Sequence, residues 1–179
     1  MKNILIISSS LRPRSNSQTL ADRFARGAED AGHAVEQITL KDKDIRFCRG
    51  CLACQKTRKC VIDDDAPAIA EKMRLVDAIA FATPVYYYRM CGQLKTLLDR
   101  ANPLYASDYR FRDIYLLTCA AEDDASVAQR VEADLSGWID CFEKARLAGT
   151  VFAGGVNAPG EIDAHPACQQ AYRAGHDIR

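Results

Sequence analysis

Short unbroken runs of apolar residues alternate along the chain with longer stretches in which apolar residues recur every three or four positions. Asn3 to Ile7 is β-branched and apolar and ends in Ser8-Ser9-Ser10, which predicts a strand followed by a polar loop. From Leu20, the spacing to Phe24 and Ala28 predicts a helix. Val35 to Leu40 and Ala78 to Ala82 read as a second and a third strand, short and continuous enough to be covered on both faces of a parallel sheet. Asp63-Asp64-Asp65 offers a cap and an acidic first turn for a helix to about Val76. Gly92 to Ala101 carries Leu94, Leu97, Leu98 and Ala101 on one helical face, and Ile114 to Thr118 supplies a fourth strand. Ala125 to about Leu147 is the longest predicted helix, with Val127, Val131, Leu135, Trp138, Phe142 and Ala145 in one stripe. A fifth strand, Thr150 to Ala153, and a last helix, His165 to about Gly175, complete the series.

This alternation, without an internal repeat or a Pro- or Gly-rich linker, predicts one α/β domain over residues 1–179, a three-layer sandwich with right-handed crossovers. In such sheets ligands sit beyond the carboxyl ends of the strands, so the loops there are the first places to look for chemistry. The chain has 24 basic and 24 acidic residues, and this balance gives no field that would draw nucleic acid or an anionic membrane. No apolar run approaches the roughly 18 residues of a membrane span, and Met1 to Ser10 shows no cleavage-site pattern. A cytoplasmic protein is expected. Its eight cysteines should then be reduced thiols that serve as ligands, redox groups or core packing.

The loop after the first strand, Ser8 to Ser17, concentrates hydroxyls, an amide and two guanidinium groups. A helix start there offers backbone N–H groups and the positive dipole end, and Ser10, Ser15, Asn16 and Ser17 add neutral donors, with Arg12 to neutralise or cover. These features suit a phosphate; simple capping by Ser15 or Asn16 is the alternative. Neither a Walker lysine nor a GxGxxG is present, which leaves a phosphomonoester such as that of FMN. After the third strand, Thr83-Pro84-Val85-Tyr86-Tyr87-Tyr88 places three adjacent tyrosines, which cannot all point into one core. Tyrosine rings at a carboxyl edge can wall a flat ligand.

Ser9-Ser10-Leu11-Arg12 with Ser15-Asn16-Ser17, and Thr83-Pro84-Val85-Tyr86 leading into Gly92-Gln93-Leu94-Lys95 and Asp99-Arg100, resembles the NADPH-dependent FMN reductase and iron-sulfur flavoprotein group. The resemblance is good over about Met1 to Ala101. It implies a flavodoxin-like, doubly wound fold with a five-stranded parallel sheet of order 2-1-3-4-5. It further implies that Ser9, Ser10, Arg12, Ser15, Asn16 and Ser17 hold the FMN phosphate and that Pro84, Val85, Tyr86 and Tyr87 contact the isoalloxazine. Members of the group are commonly dimers or tetramers, so a homodimer or homotetramer is expected.

Cys48, Cys51, Cys54 and Cys60 form CxxCxxCx5C within a cysteine-rich loop at 46–62. Three thiolates can converge from one tight loop with a fourth closing the site, as a 4Fe-4S cluster requires. Gly50 lends backbone freedom, and Arg46, Arg49, Lys56, Arg58 and Lys59 would moderate the charge of a thiolate-ligated cluster. Structural zinc and a metal-free thiol loop are also compatible with this spacing. Cys119, after the fourth strand, is placed where its loop could approach a flavin, whereas Cys91, Cys141 and Cys168 carry no pattern. His33, His165 and His176 are too scattered for a metal or a triad and are expected at the surface.

The expected function is therefore that of an FMN-dependent oxidoreductase without a protein nucleophile, relaying electrons between a 4Fe-4S cluster and FMN, with NAD(P)H or ferredoxin as donor. The alternatives are a cluster-free NAD(P)H-dependent FMN or quinone reductase and a non-catalytic flavin or thiol redox sensor.

Overall fold

A computed structural model describes residues 1–179. The main sheet consists of β1 (Asn3–Ser8), β2 (Ala34–Thr39), β3 (Ala78–Tyr86), β5 (Asp113–Cys119) and β6 (Arg146–Ala153), all parallel, in the order β2-β1-β3-β5-β6. This is the expected doubly wound order. A short strand that the sequence pattern did not predict, β4 (Arg89–Met90), folds back antiparallel on the end of β3.

The alternating faces of β1 and β3 divide the core in two. Leu5, Ile7, Ile79 and Phe81 pack with Ile114 and Leu116 of β5 beneath α3 (Ala66–Leu75), α4 (Gly92–Arg100) and α5 (Ala125–Ile139). Ile4, Ile6, Ala78, Ala80 and Ala82 pack on the other side beneath α1 (Asn16–Asp30) and α6 (Ala167–His176). There the two helices meet backbone to backbone: a Cβ on Gly27 would lie 1.9 Å from the Tyr172 carbonyl oxygen, and one on Gly175 2.0 Å from that of Phe24. No helix is long and apolar enough to cross a membrane.

Three boundaries differ from the sequence expectation. The predicted helix from Ala125 to about Leu147 ends at Ile139, and β6 begins at Arg146 instead of Thr150. Phe142 keeps its place in the apolar stripe by way of a turn, its ring 4.6 Å from Trp138 and 5.2 Å from Phe111. Residues from Arg146 are claimed by pairing with β5, where Arg146 also donates to the Asp113 carboxylate at 2.8 Å. The predicted third strand runs on through Tyr86, so Thr83 to Tyr86 are strand residues and not loop residues. Within the cysteine segment lies a short helix, α2 (Ala53–Thr57). His33, expected at the surface, is half-buried, with Nδ1 accepting from the Lys2 N–H and Nε2 3.0 Å from the Ile178 carbonyl.

Candidate functional site

The chain crosses from one side of β1 to the other between β2 and β3, so the carboxyl ends of β1 and β3 form the switch point at which ligands bind in doubly wound sheets. A cavity of 150 Å³ opens there, walled by the loop after β1 and the ends of β3, β5 and β6. Ser10, Arg12, Ser15, Asn16, Ser17, Pro84, Val85, Tyr86 and Cys119, all singled out from the sequence, line it.

Local chemistry explains the shape. Ser15 caps α1, its Oγ accepting from the Gln18 N–H at 3.1 Å and lying 3.3 Å from Ser17 Oγ, so the first turn of α1 presents hydroxyls and its positive dipole end to the cavity. Ser10, Ser15, Asn16 and Ser17 are all buried. The Cys119 thiol is pushed up to about 12 by burial, against the smaller opposing pull of Arg12 and Ser17. It therefore stays neutral near pH 7 and puts no negative charge beside an anion. Buried neutral donors, a helix start and one guanidinium fit a phosphomonoester. At 150 Å³ the cavity is smaller than the roughly 300–1,000 Å³ of a complete cofactor pocket, so it suits the phosphate end, with Tyr86 at the open edge.

Two expected residues lie outside this cavity. Ser9 is fully buried beneath it: its N–H and its Oγ both donate to the Ala82 carbonyl at 2.9 Å, and the Cys91 thiol donates to its Oγ at 3.1 Å. Tyr87 stands at the tip of the β3–β4 hairpin, 99% exposed. It and Tyr88 form a two-residue turn at φ +48° and +63°, a left-handed conformation usually given to Gly or Asn. Tyr88 is held there by the Arg130 guanidinium 4.9 Å from its ring centre.

Sequence reasoning missed the fourth wall. Val156, Asn157 and Pro159 lean over the cavity, beside Ala120 and Ala121 of the Cys119 loop, which the sequence did bring toward the site. Asn16 is the bracket: its Nδ2 donates to the Ala158 carbonyl at 3.0 Å and its Oδ1 accepts from the Gly160 N–H at 3.1 Å. Arg12 donates to the Asn157 carbonyl at 3.0 Å. Glu161 accepts from the Asn157 and Ala158 N–H groups, and these hold its carboxyl below the usual range. The Pro159-Gly160 turn followed by Glu161 was the one local signal that this segment is ordered.

The four clustered cysteines lie on the segment around α2. Cys48 and Cys51 are exposed, Cys60 is half-buried and Cys54 is buried. Their sulfurs are not drawn into one group of three or more ligands. N–H donors nevertheless reach individual sulfurs, the Gly50 N–H at 3.4 Å from Cys48 Sγ and Asn102 Nδ2 at 3.1 Å from Cys54 Sγ. Such donors are a feature of iron-sulfur sites. Of the surrounding cations, Arg46 is paired with Asp44 and Asp64, and Arg49, Lys56, Arg58 and Lys59 are exposed. A second cavity of 760 Å³ opens beside Cys60, between residues 58–64, α3 and the 3₁₀ turn Asn102–Ala106, and shares no residue with the first.

Beneath this segment lies an ion pair with no exposed side-chain surface on either partner. Arg100 Nη1 and Nη2 donate to Asp64 Oδ2 and Oδ1 at 2.6 and 2.9 Å. Burial alone would raise the Asp64 carboxyl, but Arg100 and the N–H groups of Arg46 and Ala66 outweigh it and hold the group below its ordinary value. The sequence suggested Asp63 to Asp65 as helix caps; Asp64 does accept from the Ala66 N–H at 3.1 Å, yet its main partner is 36 residues away.

The model of the NADPH-dependent FMN reductase family matches residues 2–156. An iron-sulfur flavoprotein of Methanocaldococcus jannaschii is 38% identical over 101 residues, 56% of this chain and 52% of that protein. An iron-sulfur flavoprotein of Methanosarcina thermophila is 33% identical over 107 residues, 60% of this chain and 56% of that protein. The chain thus spans about half the length of the curated relatives it matches. Among solved structures, the NAD(P)H:quinone oxidoreductase of Methanothermobacter marburgensis superposes with a TM-score of 0.76 over 98% of this chain and 94% of that one, at 19% identity, which establishes a shared fold. With the family model covering most of the chain and the expected residues gathered at the switch point, the chain belongs to the NADPH-dependent FMN reductase family.

Proposed function

We propose that the chain is an FMN-dependent oxidoreductase of the cytoplasm that exchanges electrons between FMN and a 4Fe-4S cluster held by Cys48, Cys51, Cys54 and Cys60, with NAD(P)H or ferredoxin as donor. The observation that carries this reading is the cavity at the switch point, lined by buried Ser10, Ser15, Asn16 and Ser17, the start of α1 and a neutral Cys119. Bound FMN supplies hydride and single-electron chemistry at its ring. The protein's share is to bind the phosphate with neutral donors, to set Pro84 to Tyr86 along the open edge and to exclude water with the 156–160 segment. No side chain is required as a nucleophile. The names of the relatives and the soft, N–H-bonded donor set support the cluster. The exposed cations around the thiols suit an acidic electron carrier. Exposed Tyr86, Tyr87 and Tyr88 beside a half-open cavity support a homodimer or homotetramer in which a neighbouring copy completes the flavin site.

A second reading is an NAD(P)H-dependent FMN or quinone reductase without a cluster, favoured by sulfurs that are not gathered around one point. Anaerobic purification decides between the two. FMN, iron, acid-labile sulfide and zinc are quantified per chain and the mass in solution is measured, with Cys51→Ser alongside. Iron and sulfide present together with FMN, and lost in Cys51→Ser, are expected. FMN without metal selects the cluster-free reductase, and a chain that takes up no FMN overturns both readings.

A further inference from the structure

Beneath the switch-point cavity lies a layer of fully buried polar side chains, Ser9, Thr83, Cys91 and Thr118. Its place follows from strand geometry. Ser9, Thr83 and Thr118 each stand one residue before a member of the cavity wall, Ser10, Pro84 and Cys119. Successive side chains along a strand point to opposite faces, so these three turn to the α4 side of the sheet, where Cys91 is packed. Cys91 joins them. It stands at the N-cap of α4, where a side chain ordinarily accepts from the N–H groups of its own helix, yet it makes no such bond. Its thiol instead donates to Ser9 Oγ at 3.1 Å, and its N–H donates to Thr83 Oγ1 at 3.3 Å. Ser9 Oγ passes the chain on to the Ala82 carbonyl, and Thr118 Oγ1 donates to the Thr83 carbonyl at 2.9 Å. One hydrogen-bonded layer thus ties the end of β1 to the start of α4, to β3 and to β5. A buried network of this kind specifies one arrangement, because leaving any member unpaired is costly.

We propose that Cys91 is a positioning residue for the flavin site: through Ser9 and Thr83 it fixes the loop that offers donors to the phosphate against the strand end that borders the ring. The inference rests on the FMN reading above. FMN carries its phosphate and its ring at opposite ends of one molecule, so tight binding requires that Ser10 and Pro84 keep a set separation before the ligand arrives. Without the thiol, Ser9 Oγ loses its donor, and the loop and the strand end can shift against each other. A free buried cysteine is ordinarily a small apolar filler, and the test has to separate that role from this one.

The full chain is freed of flavin and titrated with FMN as wild type, Cys91→Ala, Thr118→Val and Ile114→Val. Ile114 belongs to the same core cluster but lies at the opposite end of β5 from Thr118, so its variant loses packing without touching the layer. Flavin fluorescence gives the affinity and chemical denaturation the stability, while visible circular dichroism of the saturated complex reports how the ring is seated. Cys91→Ala is expected to weaken FMN about tenfold and to alter the visible band. Thr118→Val should act in the same direction, about threefold. Ile114→Val should lose stability and keep wild-type affinity and spectrum. If Cys91 is only a filler, Cys91→Ala will behave like Ile114→Val, and that result overturns the proposal. Should Cys91→Ala not fold, Thr118→Val, which keeps its volume and loses only the hydroxyl, carries the measurement, and wild-type affinity and spectrum there overturn it equally. Wild type that takes up no FMN overturns the FMN reading and this role with it. Wild type that binds FMN, with the layer variants unchanged, overturns this role alone.

Discussion

At the residue scale, two neighbours in one loop do different work although the sequence presents them alike. Ser10 Oγ faces the cavity and engages only the Arg12 N–H, at 3.3 Å, whereas both polar ends of the Asn16 amide are committed to the 158–160 segment. Ser10→Asp sets a carboxylate in the proposed phosphate site, and repulsion there should weaken FMN binding at least tenfold, about 1.4 kcal/mol. Asn16→Asp removes the donor to the Ala158 carbonyl and turns an anion toward it. It should weaken FMN and also speed amide exchange across residues 157–160, which Ser10→Asp should leave alone. Fluorescence titration of FMN with hydrogen exchange separates the two. Wild-type affinity in both variants would place the phosphate elsewhere. The hydroxyl cluster was legible because residue type and loop position suffice to suggest an anion site. The bracket role of Asn16 was not, because it depends on a partner more than 140 residues away.

At the scale of elements, periodicity located every strand of the main sheet and every long helix, and it erred where a side chain reached the core without its backbone being regular. Phe142 continues the stripe of α5 from a turn, and Thr83 to Tyr86 read as loop because Pro84 cannot donate to a ladder and seldom extends a central strand. Glycine shows the same limit. Gly27 and Gly175 look like weak points in their helices, yet each lets α1 and α6 approach to backbone contact. Ordinarily Gly→Ala within a helix stabilises by about 0.5–1 kcal/mol. That gain is expected at Gly137 in α5, where an added Cβ meets nothing within 4 Å. At Gly27 or Gly175 the sign should reverse, because a new methyl would drive into a carbonyl oxygen and overpacking costs about 1–3 kcal/mol. Chemical denaturation of the three alanine variants checks this. Equal stabilisation at all three positions would mean that the helices are not in backbone contact.

Across the whole molecule, acids bound by N–H groups or guanidinium are lowered, the Cys119 and Cys168 thiols and the Tyr115 phenol are raised by burial, and the Tyr88 and Tyr172 phenols are raised by the carboxylates of Glu122 and Asp30. Asp64 and Asp77 fall below their ordinary 3.8 although burial opposes the shift, Asp64 through Arg100 and Asp77 through the Asn3 N–H and Arg110. Their contribution is complete above pH 3.8 and is lost as pH falls through the lower folded values, because the unfolded chain binds protons first. Cys119, raised by burial from 9.0 to about 12, acts in the opposite sense: its contribution is complete below pH 9 and is lost as pH rises toward 12. Each unit of such a shift corresponds to about 1.4 kcal/mol. Tyr115, also raised by burial, steepens the alkaline side. Stability should therefore form a plateau from about pH 5 to 9, set by these groups and not by the zero net charge of the sequence. Denaturant midpoints from pH 3 to 10.5 should show both limbs. Cys119→Ala should flatten the alkaline limb and leave the acid one in place; an unchanged alkaline limb in that variant would mean that burial does not raise this thiol in the folded chain.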